Sequence, residues 1–151
     1  LAAAVTTRLG FGKTDVIQML NGCIGGLVAI TAEPLMPSPL ASILIGAVGG
    51  VIVVYGTKLL FSLKIDDVVG AIPAHLFAGI WGTLAVPITN SGASFGTQLL
   101  GVVSINAFVF IVSFIIWFLM RSTFGIRLSK DGETKGTDVT ETGVIAYAIR
   151  D

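Results

Sequence analysis

The chain has 151 residues, 54% hydrophobic and 12% charged, with nine Lys+Arg against nine Asp+Glu. A soluble domain is about 25% charged, so this depletion, with a mean hydropathy of +0.92, excludes an ordinary soluble fold and points to an integral membrane protein. Zero net charge says nothing about partners, no basic cluster points to nucleic acid, and the single Cys23 excludes an internal disulfide.

The chain opens on Leu1 without a basic leader, a short apolar core and a cleavage site, so no signal peptide is visible. Residues 1–7 read as the tail of an apolar segment already under way, and a fragment lacking its N-terminal part is expected. Four uncharged stretches then approach the roughly 20 residues needed to cross a bilayer: 16–32, 39–57, 68–87 and 98–120. Thr14 or Asp15 caps the first, Ser38 with Pro39 starts the second, and Asp66 or Asp67 caps the third. The proline-rich residues 35–39 form a tight turn, and residues 89–96 form a polar loop.

Basic residues fix an orientation. Arg8 and Lys13 precede the first stretch, Lys58 and Lys64 separate the second from the third, and Arg121, Arg127 and Lys130 follow the fourth. The loops 33–38 and 88–97 carry no Lys or Arg, so the basic ends are cytoplasmic, and so is the tail 122–151. Residues 1–121 are thus the membrane part and 122–151 a cytoplasmic tail.

His75, the one histidine, lies in the charge-free run 68–87. Nine residues past Asp66, it is about 13–14 Å along a helix, near the middle of a hydrocarbon core about 30 Å thick. An ionisable residue at that depth is a functional candidate by default; the alternative is a core histidine with a structural hydrogen bond. Pro73 cannot donate a backbone hydrogen bond, so a kinked helix with a freed Val69 carbonyl is expected. Gly70, Ala78, Gly79 and Gly82 allow other backbones to approach. Gly22 with Gly26, Gly46 with Gly50, and Ala78 with Gly82 are small-xxx-small pairs suited to close packing. Gln18, Asn21 and Asn106 suit helix-to-helix hydrogen bonds, and Thr31 suits either an external site or an end-cap. The fourth stretch, with Phe108, Phe110, Phe114, Trp117 and Phe118, reads as a peripheral helix facing lipid or a neighbouring subunit.

These motifs together resemble the C-terminal part of the Amt/Mep/Rh ammonium transporter family. Asn21-Gly22-xx-Gly25-Gly26 through Thr31 resembles the eighth helix of that family. Asp66-Asp67 followed by His75-xxx-Gly79-Ile80-xx-Gly82 resembles the tenth, and Gly125-Ile126-Arg127 with Gly136-Thr137-Asp138, Glu141 and Tyr147 resembles its cytoplasmic tail. The resemblance implies an all-α, polytopic fold, in the full family an eleven-helix inverted repeat assembled as a homotrimer. It implies that His75 is one of two pore histidines, that Ala71 faces the pore, and that Asp67 is a structural carboxylate. Departures occur where the family often has Asp, Phe and Gly and this chain has Gly70, Ile72 and Pro73; Leu76 and Thr142 also depart.

The expected activity is ammonium transport with deprotonation, because only ammonium, and not the similarly sized potassium ion, can shed a proton. A neutral imidazole offers one donor and one acceptor nitrogen. Expected partners are ammonium or ammonia, the lipid bilayer, two further copies of the chain, and a PII-type regulator at the tail; localisation is the cell inner membrane. An ammonium sensor without net transport is the alternative. No catalytic triad, metal-ligand cluster or phosphate-cradling loop suggests an enzyme, a cofactor or a metal.

Overall fold

Short polar residues start the helices. The computed structural model describes residues 1–146, and every regular element among them is helical. Helix α1 (Ala2–Phe11) ends at Gly12, which takes the left-handed conformation at φ 76°. Helix α2 (Val16–Ile30) begins at Asp15, whose carboxylate accepts the N–H of Gln18 at 3.0 Å. Helix α3 (Pro39–Ser62) begins at Ser38, whose hydroxyl accepts the N–H of Ala41, with proline in the first turn. Helix α4 (Ile72–Thr89) opens as a π-helix over Ile72–Phe77 and continues as an α-helix over Ala78–Thr89. Helix α5 (Phe95–Thr123) follows, then the short α6 (Lys130–Lys135) and a π-helical turn, Asp138–Thr142.

Of the four expected spans, α3, α4 and α5 are long and apolar enough to cross a membrane. Helix α2 has 15 residues, about 22 Å at 1.5 Å per residue, and is shorter than a hydrocarbon core. It stops at Ile30 because both the N–H and the hydroxyl of Thr31 turn back to the Val28 carbonyl.

The chain divides into two units, Leu1–Ile105 and Asn106–Asp151. In the first, α2 and α3 run antiparallel with their glycines in register. A Cβ placed on Gly49 would lie 2.7 Å from the Gly25 carbonyl, and one on Gly26 would lie 3.1 Å from that of Gly46. Helix α4 runs parallel to α2, and a Cβ on Gly82 would strike the Ala29 backbone. Trp81 Nε1 donates to the Ile45 carbonyl at 3.0 Å, tying α4 to α3. Ala29, Ile45 and Ala85 form the buried centre, with Ile30 and Trp81 against it. Lipid tails are as apolar as side chains, so such helices associate by close backbone approach and polar ties.

In the second unit, Phe110, Phe114 and Phe118 stack along α5 at centroid separations of 6.3 and 6.4 Å. No residue of α5 is buried. The tail folds on itself: the Ser129 hydroxyl accepts the Gly132 N–H at 3.1 Å, and the Thr140 hydroxyl donates to the Gly132 carbonyl.

Candidate functional site

The segment leading to His75 is built by Asp67. Its two carboxylate oxygens accept the N–H groups of Ala71 and Ile72, each at 2.9 Å. The expected capping role therefore holds, but the carboxylate reaches across a turn closed by the Gly70 N–H on the Asp67 carbonyl. The helix consequently starts some four residues later than the apolar run suggested. Pro73 falls in its first turn, where a missing N–H costs nothing. This corrects the expected kink: residue 69 is not helical, so Pro73 has no preceding helix to bend. The Val69 carbonyl does lie outside the helical ladder, and Asn21 Nδ2, from α2, donates to it at 2.9 Å.

Gly70 joins turn to helix at φ +72°, a conformation open to glycine and costly for other residues. A Cβ there would collide with the Asn21 amide nitrogen.

The π-helical opening of α4 has two unlike faces. Pro73 and Ala74 are buried, and Gly56 of α3 receives this side: a Cβ on Gly56 would lie 3.1 Å from Pro73 and 2.7 Å from the Phe77 ring. On the other side Ala71, His75 and Leu76 are exposed. Among the described residues the His75 imidazole makes no hydrogen bond. His75 lies between the two residues that seat on Gly56. That level is about 9 Å from the Ser62 end of α3 (residues 56 to 62) and about 21 Å from the Thr89 end of α4 (residues 75 to 89), at ~1.5 Å per residue.

Ala71 and His75 thus come together on one face. Thr31 does not join them: its hydroxyl donates to the Val28 carbonyl at 2.8 Å, at the opposite end of α2. That end is tied by Asn90 Nδ2 donating to Glu33 Oε2 at 2.8 Å. Gly79 sits 3.7 Å, by its would-be Cβ, from Val28, and Gly82 lies on Ala29, so both seat the helix on α2. An open cleft of about 310 Å³ at the α3–α4 turn includes Asp67 and Gly70 but not His75. Sequence reasoning missed Gly56 and the Glu33–Asn90 tie. For Gly56 the available signal was a glycine in an otherwise β-branched and aromatic stretch of α3.

In the tail, Gly125 is left-handed at φ +71° and Arg127 pairs with Glu133 at 2.6 Å. The hydrogen bond between them raises the Arg127 guanidinium above its ordinary value and lowers the Glu133 carboxyl. Asp138 accepts the Ala146 N–H at 2.9 Å, which lowers its carboxyl too. Glu141 is exposed, and Tyr147 lies outside the described residues. Among the described residues no group of three His, Cys, Asp or Glu could hold a metal ion.

Comparison with known proteins adds an independent line. The model of the Ammonium Transporter Family matches residues 1–147. The chain is 34% identical to the ammonium transporter Amt2 of Archaeoglobus fulgidus, over 97% of this chain and 36% of that protein. It is 35% identical to the ammonium transporter Amt1 of Haloferax mediterranei, over 97% of this chain and 30% of that protein. The chain therefore spans about a third of the length of these relatives.

Proposed function

The chain belongs to the ammonium transporter family, and on that premise we propose that it supplies one wall of a pore through which ammonium crosses the membrane as ammonia. The observation that carries this reading is His75: a lone imidazole, unbonded within the described residues, on the open face of a helix whose other face is locked against α3. Such a ring is backed by protein and free toward whatever passes it.

The neutral imidazole has one donor and one acceptor nitrogen. It can accept a hydrogen bond from ammonia or donate one to it, and it offers little to an ion that must keep its charge. Ammonium can lose a proton before this point and regain it afterwards, while potassium cannot. A second histidine from residues outside this chain would complete the relay for that proton. Ala71, one turn before His75 on the same exposed face, leaves room for a small molecule to pass. Asp67 and Pro73 fix the start of the helix, and Gly79 and Gly82 hold it close to α2.

By the distribution of Lys and Arg, the α3–α4 turn and the tail face the cytoplasm of a cell whose inner membrane holds the protein. Three copies would assemble, each with its own pore, with a PII-type regulator docking at the tail near Gly125, Arg127, Asp138, Glu141 and Tyr147. Flux of ammonium and potassium into liposomes carrying the full-length His75→Ala protein tests the pore. Loss of ammonium flux or of potassium exclusion is expected. Unchanged flux with unchanged exclusion would refute the role, and retained ammonium binding without any wild-type flux would make the protein a sensor.

A further inference from the structure

We propose that Asn21, on α2, is a positioning residue for His75 and acts through the Val69 carbonyl; the inference rests on the pore reading of His75. The His75 ring has no hydrogen bond to hold it among the described residues, so the backbone of the π-helical opening decides where it points. That backbone is anchored at its start by two groups. The Asp67 carboxylate holds the N–H groups of Ala71 and Ile72 from within the same segment. Asn21 holds the Val69 carbonyl at 2.9 Å from a different helix, and supplies the cross-link between this turn and the bundle.

Three features make the Asn21 contact specific. A carbonyl only accepts, so the Asn21 amide must present its nitrogen, and its orientation is determined. The next residue, Gly70, lacks the Cβ that would occupy the place of that nitrogen, and its φ of +72° aims the Val69 carbonyl toward α2. The backbone beside Asn21 is closely packed, because the following Gly22 is buried where Ala3 of α1 and Gly50 of α3 meet it. The Asn21 amide fills the space that a side chain at position 70 would take. The chain Asn21, Val69, Gly70, Ala71 thus transmits the position of α2 to the turn that carries His75.

The test uses the full-length protein in liposomes, with ammonium flux and ammonium-over-potassium selectivity measured per folded molecule. Asn21→Leu keeps the size and removes the donor. Gly70→Ala keeps Asn21 and displaces its amide. Each is expected to lower ammonium flux roughly tenfold and to shift selectivity in the direction His75→Ala does. The double variant Asn21→Leu with His75→Ala is expected to be no worse than His75→Ala alone, since both remove one function. A merely structural Asn21 would lower the amount of folded protein and leave selectivity per molecule intact, and that result would overturn the proposal. So would full additivity in the double variant. Should Asn21→Leu fail to reach the membrane, Gly70→Ala decides by the same readouts. An inert His75→Ala would instead overturn the pore reading itself, and is recognised because the single histidine variant alone reports it.

Discussion

Helices α3 and α5 are both apolar and both long enough to span a bilayer, yet α3 is packed on three neighbours and α5 has no buried residue. The difference is side-chain size. Helix α3 presents Gly46, Gly49, Gly50 and Gly56 to α2, α1 and α4, so backbones meet. Helix α5 presents Phe110, Phe114 and Phe118, which stack on one another along its surface. In a bilayer there is no gain from hiding one apolar surface behind another. Small residues therefore mark the faces along which α1 to α4 associate.

Glycines on the two sides of this divide should respond oppositely to substitution. Gly82→Val puts side-chain atoms into the Ala29 backbone and should destabilise the protein by about 1–3 kcal/mol or more; unfolding in mixed detergent micelles would measure it. Trp81→Phe keeps the ring and removes the donor to Ile45, at a cost of about 1 kcal/mol in the same assay. Gly101→Ala in α5 meets nothing within 4 Å, and should raise stability by roughly 0.5–1 kcal/mol through the better helix former. A loss at Gly101 would mean that another surface covers that side of α5.

The smallest effect belongs to the exposed tail. Glu133 and Asp138 have carboxyls lowered by hydrogen bonds, so their contribution is present at neutral pH and disappears as the pH falls through those lowered values. Arg127 stays charged throughout that range, so the pair it makes with Glu133 is limited by the Glu133 carboxyl. Amide exchange at Gly132 and Ala146 should therefore quicken in acid and not in base-side buffers after correction for intrinsic rates. Glu133→Gln should remove the acid sensitivity at Gly132 and leave that at Ala146.

The order of helices α1 to α5 and the small-residue surfaces at which α2, α3 and α4 pack were legible in the residues. Asp15 and Ser38 cap where short acceptors precede apolar runs, and the glycine pairs on α2 and α3 meet as their spacing implies. Asn21 was expected to bond to another helix, and it does. Its partner was not readable, because the pairing of positions 21 and 69 depends on α2 and α4 running side by side. The start of α4 was misplaced for a related reason. The apolar run marks what lipid or protein can surround, whereas the point at which hydrogen bonding becomes helical was set by the Asp67 carboxylate and a left-handed Gly70.

Composition and residue order by themselves determined an all-helical membrane chain, its polar caps and the small residues at which its helices touch, because these follow from local hydrogen bonding and from side-chain volume. Which face of His75 is free, which residue holds the carbonyl beside it and how far Thr31 stands from it were decided by tertiary structure. Those are relations between helices, and they exist only once the glycines of α2, α3 and α4 have brought the backbones together.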